Sequence, residues 1–535
     1  MSSTADTGEV VGFRNELRAR WRALSDRDRL IAIAVIELVI GALLLLLDHS
    51  LGFAVWIVGA LVLARRLPFQ VKVGVQGAVV GVLAILAIAG QTPWSLVIVL
   101  AAVVAAFWMP GKIGRWSTPA AALIATVLYP FYATKMFVIP VFGQWPDVPT
   151  GVVMLVFIMM AVGLNIVVGY AGLLDLGYVA FYATGAYTAA WFTSQQFAGE
   201  KCPKPHFSVA NCPVATVPKH SFLFGAVGVA PGTGGIHISI WLLLLAGGCV
   251  TALFGVIIGL PTLRLRGDYL AIVTLGFGEI LPQIANNGDS LFGFNVTNGP
   301  NGITPLDSLG FGHGLSSATG HFLPANYLQC CSATVLGHQL NSNDIYFWTG
   351  IVLLLLTVFC CLRLQYSRLG RAWIAIREDE TAAAAMGIPL MRTKTWAYAS
   401  GAFFGGVAGA FFAVYKGSTF PGDFFFNISV FILCMIILGG MGNIPGVIVG
   451  AAFLSYLDRA GLGNTGSWIN THIHVGGWHP NIDIQLYAAG IYGIIIVTVM
   501  LLRPEGILPS RRRAAELHEG VHDEPLGAGH AAGAE

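Results

Sequence analysis

Long apolar runs, separated by short polar segments, dominate this chain. An α-helix needs roughly 20 apolar residues to cross the hydrocarbon core of a bilayer, and most of the runs approach that length. The pattern therefore predicts an all-α polytopic membrane protein with about fourteen transmembrane segments, several of them short. The runs fall near residues 30–47, 51–64, 73–90, 94–109, 119–139, 151–168, 173–193, 238–262, 268–286, 345–362, 395–414, 425–440, 444–457 and 484–502.

The composition excludes a soluble globular protein, because 56% of the residues are hydrophobic and only 10% are charged. Soluble domains are usually about 25% charged. The net charge is +2, and no basic patch indicates nucleic-acid binding. The sequence has no Gly-x-x-x-x-Gly-Lys-Ser/Thr loop to cradle phosphates. We therefore expect no catalytic residues and no cofactor in this chain, and we expect any ATP to be hydrolysed by another subunit.

Positive charge is distributed unevenly among the polar segments. Cytoplasmic loops of membrane proteins carry the excess of Lys and Arg. With the N-terminus inside, all but six of the 29 Lys and Arg residues lie on the inner side. The outer ones are Lys135, Lys201, Lys204, Lys219, Lys416 and Arg459. Both termini and the segment 363–394 are therefore predicted to be cytoplasmic.

The chain is predicted to consist of a scaffold half and a working half, with a boundary near Pro146 to Thr150. Beyond this boundary the apolar runs are rich in glycine, which lets membrane helices approach closely or break. The layout predicted is a cytoplasmic arm (1–28), a transmembrane extension (29–148), a working domain (149–508) with outer loops 194–237, 287–344 and 458–483, and a disordered cytoplasmic tail (509–535).

Two glycine-broken segments, 169–177 and 439–446, hold roughly corresponding positions in the working domain. Inverted-repeat transporters interrupt their helices in this way near the substrate. The sequence therefore predicts an inverted-repeat core.

The segment 363–394 is a charged island between two apolar runs. Three successive carboxylates, beginning at Glu378, stand in the first turn of a short helical stretch, where the helix macrodipole favours negative charge. Gly387 and Pro389 follow and end the stretch. We expect a compact helix at the membrane surface, which a soluble partner can grip.

Asp175 and Glu279 are acids at membrane depth, where ionisable groups are expensive and default to functional hypotheses. Two structural roles are alternatives: capping a broken helix, or pairing with Arg264 or Arg266 near the inner face. Asparagines beside glycines in the same half can bond a passing zwitterion or hold helices together. The candidate pathway residues are Asn165, Asp175, Tyr178, Glu279, Asn298 and Asn301.

Four cysteines lie in the predicted outer loops, where the compartment permits disulfides. They are Cys202, Cys212, Cys330 and Cys331. Four cysteines allow three pairings, and a bridge between Cys202 and Cys212 would staple the first outer loop.

His472, His474 and His479 have a spacing close to that of zinc ligands. No cysteine or carboxylate completes a clear tetrahedral set nearby, and a surface loop explains the three residues equally well. No metal site is predicted.

Several motifs follow one another along residues 150–508. They are Gly163-Leu-Asn-Ile-Val-Val-Gly-Tyr-Ala-Gly-Leu-Leu-Asp-Leu-Gly177, Arg264-Leu-Arg-Gly-Asp-Tyr269, Gly299-Pro-Asn-Gly302, Ser367-Arg-Leu-Gly-Arg371 and Arg503-Pro-Glu-Gly506. In this order they resemble the membrane-spanning permease of the high-affinity branched-chain amino-acid ABC importer. The five apolar runs before residue 150 resemble the extension carried by the longer of the two permease types in that importer.

The resemblance implies an ABC importer permease fold in a bacterial plasma (inner) membrane. It also implies partners: a second, shorter permease, two cytoplasmic ATP-binding subunits, and an extracytoplasmic binding protein that delivers leucine, isoleucine or valine. The island 363–394 then corresponds to the loop that couples the permease to the ATPases. The matching residues are Arg377, Glu378, Asp379, Glu380, Ala383 and Gly387, whereas Ala384 stands where a carboxylate is common.

Three alternatives stay open. Permeases for urea and short amides share much of the pattern, although the motif Asp175-Leu-Gly-Tyr178 and the N-terminal extension resemble the amino-acid branch more closely. A secondary transporter or channel would instead need paired intramembrane charges and no surface helix for a partner. A membrane enzyme would need a convergent polar or metal site, for which the three histidines are the only candidate.

Overall fold

The computed structural model describes residues 120, 122–133, 145–197, 222–229, 235–263, 268–290, 295–319, 324–327, 334–335, 338–472, 483–503 and 506–508. α-Helices account for most of this part. The chain divides into two compact units, one of Met1–Asp147 with Ser467–Pro480 and the other of Val148–Gly466 with Asn481–Glu535. A short helix of the first unit, α1, covers Tyr129–Tyr132.

The working half forms a series of helices, of which the last residues of α13 fall in the first unit. They are α2 (Val148–Asn165), α3 (Tyr178–Phe192), α4 (Ile240–Thr262), α5 (Asp268–Asn286), α6 (Gly312–Ala318), α7 (Ser342–Gln365), α8 (Arg368–Glu378), α9 (Glu380–Ala385), α10 (Leu390–Lys416), α11 (Asn427–Gly439), α12 (Ile444–Tyr456), α13 (Leu462–His472) and α14 (Ala488–Leu502). α2 and α12 each continue into a π-helical turn, Ile166–Tyr170 and Leu457–Gly461. Such turns are rare and often mark functional sites.

Short strands lie between some of the helices. β1 (Thr193–Ser194), β2 (Phe222–Phe224) and β3 (Ile236–Ile238) form a sheet of order β1-β3-β2, in which β3 runs antiparallel to β1 and parallel to β2. β4 (Thr334–Val335) and β5 (His338–Gln339) form an antiparallel pair. The all-α prediction missed these strands. A segment in lipid must form all its backbone hydrogen bonds within a helix or a closed barrel, whereas the segments between the spans are free of this constraint.

α10 lies at the centre of the second unit, where it packs against α2, α3 and α4. Glycines make these crossings close. A Cβ at Gly185 of α3 would collide with the backbone of Gly406 in α10, and one at Gly409 would collide with the backbone of Tyr182. Small residues of this kind favour association of membrane helices, since they let the backbones come into van der Waals contact.

Six helical segments of the described part are long and apolar enough to cross a membrane. They are Val148–Tyr170, Ile240–Thr262, Ser342–Gln365, Leu390–Lys416, Pro421–Gly439 and Ile484–Leu502. α3, α5 and α12 coincide with three further predicted runs but are not among these six, and α3 and α12 contain only 15 and 13 residues. The runs before residue 110 lie outside the described residues, so the total of about fourteen segments stays a prediction.

Candidate coupling surface and substrate pathway

The charged island 363–394 contains two short helices: α9 corresponds to the compact helix predicted before Gly387, whereas α8, which ends at Glu378, was not predicted. Asp379 separates them: its extended backbone ends α8, and its carboxylate accepts hydrogen bonds from the amides of Thr381 (2.8 Å) and Ala382 (3.0 Å) to cap α9. The hydroxyl of Thr381 donates to the same oxygen at 2.6 Å. Aspartate favours a cap over a helix interior because its side chain competes for nearby backbone amides.

The same hydrogen bonds, chiefly the one from the Thr381 hydroxyl, hold the pKa of the exposed Asp379 below its usual value. The charged cap therefore stabilises α9 above the pKa that Asp379 has in the unfolded chain. This stabilisation is lost as the pH falls through the lowered pKa. At neutral pH the cap is fully formed.

Buried side chains fix the island to the start of α10. Trp373 of α8 is fully buried, and its indole N–H donates to the carbonyl oxygen of Thr393 in α10 (2.8 Å). Lys394 of α10 is 5% exposed, and its ammonium group pairs with the carboxylate of Glu380 in α9 at 2.8 Å. A displacement of α8 or α9 must therefore either move the start of α10 or break these contacts.

The side of α9 that faces solvent ends in Met386, which is 84% exposed. Gly387 follows with φ +80°, and no described atom lies within 4 Å of a Cβ built there. Glu378 and Asp379 are exposed as well. Ala383 is different, because it is only 4% exposed and packs inward. Of the predicted coupling residues, Glu378, Asp379 and Gly387 are therefore exposed, whereas Ala383 is buried.

Arg377, the remaining predicted coupling residue, also reaches inward. Its Nη1 donates a hydrogen bond to the carbonyl oxygen of Gly169 at 2.6 Å. Asn165 is fully buried nearby, and its Oδ1 accepts a hydrogen bond from the amide of Gly442 at 2.9 Å. A Cβ built at Gly169 would lie 2.8 Å from the amide nitrogen of Gly442, so the two glycine-broken segments meet each other, and Arg377 of the island meets the first of them.

Tyr178 and Asp175 support the packing of α3. Tyr178 is fully buried, and its hydroxyl donates to the carbonyl oxygen of Gly401 in α10 at 3.0 Å. Asp175 is buried in the turn before α3, where its Oδ1 accepts a hydrogen bond from the amide two residues ahead at 2.9 Å. This bond closes a local turn and no side-chain hydrogen bond caps α3, so the capping role considered for Asp175 stays a prediction. Arg264 and Arg266, the other partners considered, lie outside the described residues.

Glu279 lies on an exposed face of α5. Gln283 and Asn287 follow it at successive helical turns, and together with Ile280 and Ile284 they line a shallow groove. The exposed side chains of α4 and α14 are mainly leucine, isoleucine and valine, which suit lipid. The exposed face of α5 is different, because Glu279, Gln283 and Asn287 lie on it beside Ile280 and Ile284.

Asn298 and Asn301 belong to the turn that carries the Gly-Pro-Asn-Gly motif. Asn298 adopts the left-handed conformation (φ 61°), and its side-chain amide donates a hydrogen bond to the carbonyl oxygen of Gly302 at 2.8 Å. Ile303 then pairs with Thr419, just beyond α10, through backbone hydrogen bonds of 2.9 and 3.0 Å. Asn298 thus shapes a turn that is tied to the end of α10, and Asn301 is exposed on that turn.

Three residues of these surfaces escaped the sequence analysis: Gln283, Met386 and Lys394. The spacing of four residues from Glu279 could have identified Gln283, since that spacing puts both on one helix face. A lone methionine gives no such signal. Lys394 counted only as one more cytoplasmic charge, because its burial depends on the packing of α9.

Several predicted features lie outside the described residues, namely Cys202, Cys212, His474 and His479. The disulfide therefore stays a prediction. His472 is the last residue of α13. Within the described part of the chain, no group of three His, Cys, Asp or Glu side chains could hold a metal ion.

The apolar helices define a multi-pass membrane protein, and comparison with known proteins gives its family. The model of the family described as branched-chain amino acid transport system / permease component matches residues 149–500. The chain belongs to this family of transport permeases.

Among curated proteins, the high-affinity branched-chain amino acid transport system permease protein LivM of Salmonella typhimurium is 33% identical over 408 residues, which cover 75% of this chain and 76% of that protein. LivM of Escherichia coli is 32% identical over 407 residues, with the same coverage. LivH of Escherichia coli is 28% identical over 183 residues, or 32% of this chain and 52% of LivH. No solved structure matches the chain significantly.

Proposed function

We propose that this chain is the longer permease subunit of an ATP-driven importer of leucine, isoleucine and valine. The observation that carries the proposal is the α8 and α9 island, which is exposed on one side and fixed to α10 through Trp373 and Lys394 on the other. A chain without a phosphate-binding loop needs such a surface to receive mechanical work from a separate ATPase. The similarity to LivM supports the substrate class.

In this proposal two cytoplasmic ATP-binding subunits dock on the island. Glu378, Asp379, Met386 and Gly387 form the surface that they contact, because these residues are exposed. Ala383 packs beneath this surface and keeps α9 on the core. ATP binding then shifts the island and switches the glycine-rich spans between outward-open and inward-open arrangements.

The substrate path is proposed to run along the exposed face of α5. A branched-chain amino acid has a charged ammonium, a charged carboxylate and an aliphatic side chain. Glu279 and Gln283 offer a carboxylate and an amide for the charged end, while Ile280 and Ile284 offer apolar contact. Such a mixture can guide a zwitterion without trapping it.

Further parts of the proposal concern partners and topology. A second permease covers the polar face of α5, and the occurrence of both LivM and LivH in Escherichia coli supports two permeases. An extracytoplasmic binding protein docks on the outer loops. The chain crosses the bacterial inner membrane about fourteen times with both termini in the cytoplasm. The domain layout and the inverted-repeat core predicted from the sequence complete the proposal.

The first experiment is co-purification of the chain with co-expressed ATPases, second permease and binding protein of the same organism, followed by uptake in proteoliposomes. Met386→Asp places a charge at the exposed residue that follows α9, whereas Met386→Leu keeps an apolar side chain there and serves as the control. We expect Met386→Asp to retain at least fivefold less ATPase subunit and Met386→Leu to match the wild type. Glu380 is less suitable for this test, because substituting it would also break its ion pair with Lys394.

Wild-type complexes are then tested for ATP-dependent uptake of leucine, isoleucine, valine and urea. Uptake of the three amino acids and not of urea supports the proposed substrate. Preference for urea or a short amide assigns the chain to the related branch instead. Uptake by the chain alone, without ATPase subunits, would contradict the importer proposal and indicate a secondary transporter.

A further inference from the structure

At the end of α2, the carbonyl oxygen of Gly169 does not accept the backbone hydrogen bond that a regular helix would give it. In a continuing α-helix the amide of Leu173 would bond the carbonyl oxygen of Gly169. The π-helical turn and Gly172 (φ +68°) break this register, and the amide of Leu173 bonds Val167 at 3.1 Å instead. The carbonyl of Gly169 is thereby released at the negative end of the helix dipole, where a cation is favoured.

Arg377 fills this position. Its aliphatic stem lies across Gly172, since a Cβ built there would be 2.8 Å from Cγ and 3.2 Å from Cβ of Arg377. Its Nη1 donates to Gly169 at 2.6 Å. A guanidinium group offers several donors in a fixed planar fork, whereas a lysine ammonium is a compact point charge. The contact therefore depends on arginine and on a glycine that leaves room for its stem.

The same guanidinium lies beside the second broken segment. A Cβ built at Gly442 would be 3.4 Å from Nη1 of Arg377 and 3.3 Å from the carbonyl oxygen of Gly169. Gly442 has φ +83°, and its amide is held by Oδ1 of Asn165. One side chain of the island thus contacts the break after α2 and approaches the break between α11 and α12.

We infer that Arg377 is a positioning residue that transmits movement of the island to the two glycine-broken segments. The inference rests on the proposed function and deepens it, because the island alone does not specify which spans it moves. Arg377 is a residue of α8, so a shift of α8 carries the guanidinium with it. Withdrawal from Gly169 frees the carbonyl and lets both breaks rearrange together, as expected of a two-state element.

The test measures coupling, expressed as amino acid transported per ATP hydrolysed, in the complete importer in proteoliposomes. Arg377→Gln removes the charge and the fork, and Arg377→Lys keeps the charge alone. Arg371→Gln is the matched control, since Arg371 lies on the same helix but is exposed and bonds only the local carbonyl of Tyr366 among the described residues (3.1 Å). We expect the ratio to fall at least fivefold in Arg377→Gln, to fall less in Arg377→Lys, and to stay at the wild-type value in Arg371→Gln.

Assembly is checked in parallel by the amount of ATPase subunit that co-purifies with each variant. A normal ratio in Arg377→Gln would overturn the inference while leaving the proposed function intact. Loss of the assembled complex in both Arg377 variants would overturn it too, because Arg377 would then be a folding residue. Absence of ATP-dependent uptake in the wild-type importer would contradict the proposed function itself, so the two failures are distinguishable.

Discussion

Close packing between α3 and α10 is decided at single glycine positions. A Cβ at Gly185 would lie 2.5 Å from the Cα of Gly406, which is a backbone atom that cannot rotate away. We expect Gly185→Ala to destabilise the protein by about 1–3 kcal/mol, the usual cost of overpacking a core. The thermal unfolding midpoint in detergent and the yield of monodisperse protein measure this effect.

Gly490→Ala in α14 is the control for that substitution. Gly490 is also a helical glycine, but no described atom lies within 4 Å of a Cβ built there. Alanine lowers the entropic cost of ordering a helix, so Gly490→Ala should be neutral or slightly stabilising. An equal loss of stability in both variants would show that the destabilisation comes from replacing any helical glycine and not from the crossing of α3 and α10.

The polar candidates illustrate what one residue in a sequence can and cannot reveal. Asn165 and Tyr178 were selected from the sequence as candidate pathway residues, and that role stays a prediction. Their partners, Gly442 and Gly401, are 277 and 223 residues away, so no local pattern could distinguish a pathway residue from one that joins helices. For Asp175 the hydrogen-bonded amide is two residues away, so this contact is local in the sequence.

At the scale of an element, the ion pair between α9 and α10 makes a second prediction. Glu380→Gln leaves the ammonium of Lys394 buried without its carboxylate, and an unpaired buried charge is costly. Because Glu380 is partly exposed, the expected loss is moderate, about 1–3 kcal/mol. The thermal unfolding midpoint of the purified protein measures it.

The double variant Glu380→Gln with Lys394→Met tests the cause of that loss. It removes both charges and keeps an apolar stem in the buried position, so it should recover most of the stability. If the double variant is as unstable as the single one, the carboxylate acts on α9 in some way other than through Lys394.

The face of α5 gives a third prediction. If this face lines the substrate path, Gln283→Leu should reduce ATP-dependent leucine uptake at least fivefold, because the path loses a polar group that faces the zwitterion. Leu253→Ile on the exposed apolar face of α4 is the control and should leave uptake unchanged. Normal uptake with a reduced amount of bound second permease would instead make α5 a helix interface alone.

The island shows why an element could be predicted only in part. Its charge pattern and its terminal glycine were visible in the sequence, and they correctly located a helical stretch that reaches Ala385. The island is divided into α8 and α9 because Asp379 acts as the N-cap of α9. The same residue could instead have stood in the first turn of one continuous helix. The acidic cluster was compatible with both arrangements.

At the scale of the whole molecule, the positions of the long apolar runs were the most reliable guide. Each predicted run from residue 151 onward coincides with a helix of the structure. The run 173–193 was nevertheless too long, because Gly172 (φ +68°) and the turn around Asp175 delay the start of α3 until Tyr178. Hydrophobicity locates a helix in the bilayer, whereas its ends depend on turns that hydrophobicity does not encode.

The last prediction concerns orientation across the membrane. Met386 and Leu486 are 84% and 79% exposed, and the charge distribution assigns them to opposite sides. In a cysteine-free variant, we expect a membrane-impermeant maleimide to label Met386→Cys only in inverted vesicles and Leu486→Cys only in right-side-out vesicles. In the chain without partner subunits both side chains are highly exposed, so burial within the chain itself does not explain an absence of label. Labelling of both from one side would contradict the proposed topology and, with it, the access of cytoplasmic ATPases to the island.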